Sequence, residues 1–302
     1  MIDPRLRSLQ LVAWHGTVTA AAHTLHYTPS AVSAQLKSLA AELGVDVLER
    51  KGRQVYPTPS GRLLLAYAEE LSMRWEQMHS ELLSRSERTP GSLRLCGFST
   101  AAANLLPRVA TDVMAAHPGT RVRIIEADPE ECFELLLADA ADLAVVVTTD
   151  RLPRLDDPRF EQQPLASDPL DLLLPAHHRF AQEASVSLAA MAHEDWIMDH
   201  EGRPNHQLVM TSCLAAGFNP TMAHEIVEWD TGAALVHAGL GVCLIPRLAR
   251  LPIGYDIVRV PLHGDPSPSR QIRTGIRAGA STSPLLATAL AALAQLTPET
   301  LN

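Results

Sequence analysis

The sequence predicts a mainly helical N-terminal segment, a long connecting helix and an α/β region of two parts. Three observations carry that expectation. Apolar residues recur at helical spacing before residue 58, and Thr28-Pro29 and Thr58-Pro59 each join a capping hydroxyl to a proline suited to a first helical turn. Behind Pro59 a long helix is expected to about Glu87, with an apolar heptad seam from Leu64 to Leu82. Beyond residue 92, short apolar runs alternate with helical stretches. The 302 residues leave room for two or three domains, and an apolar content of 46% excludes a disordered chain.

Leu6, Leu9, Val12 and Ala13 give a first helix ending near Gly16. Thr17 caps a short second helix through Ala20-Ala21-Ala22 to about Leu25, whose small residues let another helix approach closely. The third helix starts behind Thr28-Pro29 and runs to about Leu43, with Gly44 as its stop. Val32, Leu36, Leu39 and Leu43 fall on one side of it. Ser30, Ser33, Ala34, Lys37 and Ala41 fall on the other. That second face is small and polar with one cation, and it fits a major groove about 12 Å wide. Taken alone, it also reads as an ordinary solvent face.

Val47-Leu48 and Val55-Tyr56 are short strand candidates, and Arg50-Lys51-Gly52-Arg53 between them reads as a basic turn. Helix-turn-helix followed by a basic hairpin is a winged helix-turn-helix, whose wing tip reaches phosphates or the minor groove. In the long helix, Leu64, Ala68, Leu71, Trp75, Met78 and Leu82 form a heptad seam suited to a partner helix. Residues 88–92 read as a linker. Strands at Leu93–Phe98, Val122–Glu126 and Leu143–Val147, with helices near 102–116 and 130–138, make a βαβαβ unit with a parallel sheet. A second set has strands at Leu170–Leu174, Trp196–Met198, Ala223–Val227 and Val242–Ile245, and helices near 187–192, 205–216 and 231–238. Ile257–Val260, Ile272–Ile276 and a helix at about 284–296 complete the chain. The expected domains are 1–58, a helix at 59–89, and 90–302 with one lobe at about 90–163 and 267–302 and the other at about 164–266.

Net charge is −9, but its distribution is uneven. Seven basic and four acidic side chains give residues 1–63 a charge of +3, so the remainder carries −12. A basic tip on an acidic body suits site-specific DNA binding: the tip attracts phosphate and the body repels it. Cys96, Cys132, Cys213 and Cys243 have neither zinc nor redox spacing and are expected to be buried and inert. No apolar run reaches the roughly 18 residues of a membrane helix. The first residues lack the features of a signal peptide, so a cytoplasmic location is expected. Gly239-Leu240-Gly241 precedes a strand and lacks a third glycine, so it is not a dinucleotide fingerprint. His200, Glu201 and His206 are unevenly spaced for a metal site. No nucleophile elbow is present. No enzyme activity, cofactor or metal is expected. The rival classes, an α/β enzyme, a solute-binding protein or a nucleoid protein, predict turnover, export, or no sequence preference.

The residues from 17 to 63 resemble the LysR-type transcriptional regulators. The similarity lies in Ala20-Ala21-Ala22, Leu25, Thr28-Pro29-Ser30-Ala31-Val32-Ser33, Leu39, Glu42-Leu43-Gly44, Leu48, Glu49-Arg50 and Thr58-Pro59-Ser60-Gly61. It continues more weakly in Leu106-Pro107, His117-Pro118, Asp142-Leu143-Ala144 and the run from Gly239 to Pro246. The family often has glutamine before Ser30 and a long polar side chain after Ser33, where this chain has Pro29 and Ala34. The resemblance implies a winged helix-turn-helix, an antiparallel dimerising linker helix and a two-lobed, periplasmic-binding-protein-like effector domain. It further implies a homodimer, usually assembled into a homotetramer, on a palindromic promoter site in double-stranded DNA.

The expected DNA contacts are Thr28, Ser30, Ser33, Lys37, Arg50, Lys51 and Arg53. In open α/β sheets, ligands bind beyond the carboxyl ends of the strands. Those ends are read as Ser99, Thr100, Asp128 and Thr148 in the first lobe and Asp199, His200 and Thr231 in the second. The resemblance places the family's effector cleft, between the lobes, at the same points. Hydroxyls dominate this set, which suits a small polar metabolite. A carboxylate and an amino acid both remain open, because Asp128 and Asp199 suit an ammonium group.

Overall fold

The computed structural model describes residues 2–52, 54–85, 91–264 and 267–296. The expected wing residue Arg53 and the junction at 86–90 lie outside them. Chain order begins with α1 (Pro4–His15), α2 (Val18–Thr24), α3 (Pro29–Leu43), β1 (Leu48–Lys51), β2 (Gln54–Pro57) and α4 (Pro59–Ser84). Each predicted cap forms: the Thr17, Thr28 and Thr58 hydroxyls accept from Ala20 N, Ala31 N and Gly61 N. Leu9, Val12, Ala21, Ala22, Val32 and Leu36 close the core of this head. Leu43 departs from the expected apolar side, being 46% exposed at the helix end.

The Thr58-Pro59-Ser60-Gly61 motif fastens α4 to the wing. The Thr58 hydroxyl donates to Asp46 O at 2.6 Å, and Thr58 N donates to Val47 O at 3.2 Å. At Gly61 any Cβ would stand 1.9 Å from the Val47 carbonyl oxygen, so only glycine permits this approach.

The chain continues through β3 (Ser92–Gly97), α5 (Ser99–Asn104), α6 (Leu106–Ala116), β4 (Arg121–Glu126), α7 (Pro129–Leu137), β5 (Leu143–Val147) and the long β6 (Phe160–Pro175). Then come β7 (Val186–Ser187), a 3₁₀ turn at Leu188–Met191, β8 (Asp195–Asp199), α8 (Pro204–Ala215), β9 (Thr221–Ile226) and α9 (Trp229–His237). β10 (Cys243–Pro246), β11 (Ile257–Val260), β12 (Leu262–His263), β13 (Ser269–Arg277) and α10 (Pro284–Ala294) follow. The helix expected at 102–116 breaks at Leu105 into α5 and α6.

Two compact units result. The chain through Leu165, with Arg273–Gln295, forms the first, and the second centres on Ala166–Ile272. The head and α4 thus cluster with the first lobe. In that lobe β3 pairs in parallel with β4 on one side and β5 on the other. Right-handed crossovers then put α6 and α7 on opposite faces of the sheet, and His117 on the α6 side meets Thr288 of α10 at 2.9 Å. In the second unit β6 pairs antiparallel with β10 and β11, and β8 pairs in parallel with β9. Trp196, wholly buried, anchors this lobe and donates its indole N–H to Met191 O at 3.2 Å.

Candidate nucleic-acid interface and effector edges

α3 is amphipathic in the sense the sequence predicts. Val32, Leu36 and Leu39 are buried, while Ser30, Ala34, Lys37 and Ala41 are exposed and Ser33 is half-buried. Thr28 and Ser30 lie 3.0 Å apart, hydroxyl to hydroxyl, at the helix start. Lys37 has no ion-pair partner among the described residues. The neighbouring Gln35 is engaged inward, accepting from Ser8 Oγ at 2.6 Å.

The wing differs in one respect from the expected basic turn. Arg50 and Lys51 belong to strand β1 rather than to a turn, and Lys51 pairs directly with Gln54. Arg50 is exposed with no ion-pair partner among the described residues. Lys51 meets Glu49 at 2.9 Å and lies over the Tyr56 ring, so its charge is partly answered within the wing.

The seam of α4 divides. Ala68 is buried and Leu64 packs on the head core, whereas Leu71, Met78 and Leu82 are 52%, 44% and 60% exposed. Leu63 and Tyr67 extend this exposed apolar strip.

The first-lobe candidates come together by register. Gly97 pairs with Glu126 and with Val145, so Ser99, Asp128 and Thr148 each follow one line of paired residues at a single sheet edge. Asp128 occupies the cap position of α7 with no cap hydrogen bond and is exposed, as is Thr148. Ser99 is half-buried; Thr100 is buried and engaged within the fold.

In the second lobe, Asp199 pairs with Ile226 across β8 and β9, which brings His200 and Thr231 to that edge. Two of these three already have partners. Asp199 is buried, accepts from His200 N at 2.9 Å and meets Arg203 at 3.2 Å. Burial pushes its carboxyl up, against the pull of Arg203. His200 Nδ1 lies 2.6 Å from Glu225 Oε2. Thr231 is exposed and is the third residue of α9 rather than its opener, because the helix begins at Trp229.

No local pattern marks Arg273, which is 4% exposed. It donates to Pro153 O at 3.0 Å and lies over the Phe133 ring, and its Nε has no partner among the described residues. Arg94, Arg247, Arg259, Arg270 and Arg277 each hold a carboxylate. Burial lowers the pKa of Arg273. No periodicity marks a residue whose distinction is the partner it lacks.

Two family models match the chain: bacterial regulatory helix-turn-helix protein, lysR family, over residues 4–62, and LysR substrate binding domain over residues 86–298. The chain belongs to the LysR family. This LysR-type regulator is a DNA-binding transcription regulator with an effector-binding domain. It is 27% identical to the RuBisCO operon transcriptional regulator of Allochromatium vinosum over 241 residues, 80% of this chain and 78% of that one. It is 26% identical to the hydrogen peroxide-inducible genes activator of Haemophilus influenzae over 261 residues, 86% and 85% of the two chains. Full-length OxyR C199D from Pseudomonas aeruginosa shares the fold, with a TM-score of 0.69 at 21% identity over 99% of this LysR-type regulator and 96% of that chain.

Proposed function

We propose that a dimer of this regulator sets two α3 helices on a palindromic promoter site, and that a small polar metabolite at the strand-end edges of the effector domain adjusts its hold on DNA. The observation that carries the DNA part is the α3 face itself. Ser30 and Lys37 are exposed and Ser33 half-exposed, on a surface small enough to enter a major groove. Ser30 and Ser33 would touch bases or nearby phosphates, and Thr28, Lys37, Arg50, Lys51 and Arg53 would supply phosphate contacts. The exposed strip of Leu71, Met78 and Leu82 supports pairing of α4 with its copy. Dimers pair again into tetramers on this reading. The work is done on promoter DNA, hence in the cytoplasm; among the described residues no helix is long and apolar enough to cross a membrane. The relatives are transcriptional regulators, and no turnover is proposed.

Ser99, Asp128 and Thr148 on one edge support a polar effector in the first lobe. Arg273, buried in the same lobe with no carboxylate partner among the described residues, favours an anionic group in the effector, since such a guanidinium gains most from an incoming anion. Peroxide is a poorer fit. It attacks thiolates, and all four cysteines are buried. Cys132 is held far up by its hydrogen bond with Cys96 and by burial, and burial pushes Cys213 and Cys243 up to about 12 each.

Thermal-shift screening of the full-length protein against small carboxylates and amino acids tests the effector. A hit whose shift vanishes in Ser99→Ala, with DNA binding without effector intact, supports the edge; a wild-type shift in that variant refutes it. Sedimentation of a Leu71→Asp/Met78→Asp variant tests the dimer, since a clean dimer at low concentration rules out this use of α4.

A further inference from the structure

The face of α1 that points away from the head core would ordinarily be solvated. Arg7 and Trp14, seven residues apart, share that face, and both are engaged by the first lobe. Arg7 Nη2 meets Asp139 at 3.1 Å. Trp14 stands edge-on to Phe160, whose ring stands edge-on to Phe133, and the Arg159 guanidinium lies over Trp14 at 4.8 Å. On the next helix, the Thr24 hydroxyl lies 3.3 Å from Glu134 of α7. One continuous apolar cluster runs from Leu9 and Val12 in the head to Cys132 and Phe133 in the lobe.

Asp139 is where these contacts converge. Its φ of 57° is left-handed, a conformation that aspartate tolerates better than most residues. It follows the end of α7 and gathers three guanidiniums from three elements: Arg7 of α1, Arg94 of β3 at 2.9 Å and Arg277 of β13 at 3.5 Å. Arg277 in turn holds Glu76 of α4 at 2.8 Å. Burial would lower the pKa of Arg277, but the carboxylates of Glu76, Asp139 and Asp142 hold it up. The head, the linker helix and the lobe thus meet through one carboxylate and its cations. A cavity of about 660 Å³, lined by α1, α4, Asp139 and Arg277, lies beside this junction. Beside the shared apolar cluster, that open volume leaves room for the charged contacts to rearrange.

The start of α7 points elsewhere. Asp128 is its cap residue, and Glu130 accepts from Thr149 Oγ1 at 3.3 Å in the loop that follows β5. The nine-residue helix thus runs from the sheet edge to the residues that hold the head.

We propose that Asp139 is the hub of a releasable latch that docks the DNA-reading head on the first lobe of its own chain, and that α7 relays events at the sheet edge to that latch. The relay rests on the effector reading given above; the latch does not. Releasing the latch frees α1, and with it the orientation of α3, without touching the DNA face. Asp139 is a positioning residue on this account.

Native-state hydrogen exchange of the full-length protein tests both parts. Asp139→Asn keeps the left-handed backbone tolerable and removes the charge; Arg7→Glu is a surface change that keeps the test open if the first variant misfolds. Each should speed exchange of α1 and α7 amides by roughly tenfold while leaving α10 unchanged. The two together should do no more than the larger one alone, because both break the same contact. Unchanged exchange in α1, or effects that simply add, would overturn the latch. Glu130→Gln, at the far end of α7, should also speed exchange in α1. If it leaves α1 untouched while the first two variants act, the relay is wrong and the latch stands, whatever the effector screen returns.

Discussion

The exposed face of α3 and the strand ends of the second lobe are both polar surfaces on regular elements, yet they differ in how far their groups are already satisfied. Lys37 and Arg50 stand exposed without ion-pair partners among the described residues. Asp199 and His200 are engaged by Arg203 and Glu225. A surface with unanswered groups is built to be completed by something outside the chain. A surface whose groups answer one another is first of all a piece of structure, and a ligand there must compete with existing bonds. The first-lobe edge lies between these extremes: Asp128 has no cap bond and Thr148 is exposed, but Thr100 is buried and engaged.

The largest effect is expected at Ser33. Ser33→Glu puts a carboxylate against phosphate and should reduce binding to the cognate promoter to the non-specific level, a loss of roughly 1,000-fold. Fluorescence anisotropy measures it, and a footprint like wild type would remove α3 from the DNA. Gly61→Ala should destabilise the head by about 3 kcal/mol, because the new methyl meets the Val47 carbonyl rather than a flexible side chain. Urea unfolding giving a loss under about 1 kcal/mol would show that the wing and α4 can part at no great cost.

Asp199 sharpens the other side of the comparison. Its folded-state pKa is raised by burial. The folded chain therefore holds that proton more tightly than the unfolded chain. The associated stability is complete below the ordinary aspartate value and falls as pH rises through the folded-state value. Asp199→Asn should flatten the dependence of melting temperature on pH across the mildly acidic range; an unaltered slope assigns it to other groups. The smallest effect is expected at Arg53, whose replacement by alanine should lower the salt dependence of DNA binding by roughly one unit of slope. An unchanged slope would show that the wing tip carries no phosphate contact.

Much of this was legible in the amino-acid order, because the signals were local. Thr28-Pro29 and Thr58-Pro59 set helix starts through bonds spanning three residues, and the period of Val32, Leu36 and Leu39 sets which face of α3 is left exposed. Strand ends could likewise be counted along the chain. What no local pattern could reveal was which polar groups would find partners. Arg50 and Lys51 are adjacent and alike in sequence, yet among the described residues Arg50 has no ion-pair partner while Lys51 meets Glu49. Arg273 stands on β13 near Arg270 and Arg277, yet among the described residues it alone of the three has no carboxylate. Asp139 carries no motif, and Arg7 meets it across 132 positions of the chain. The sequence by itself determined most of the elements, their caps and which face of α3 is left exposed, because those depend on neighbours within a few residues. Only the tertiary structure decided the pairing of charges and the seating of the head on the first lobe, because an ion pair depends on distances of a few ångströms between residues that chain order leaves far apart.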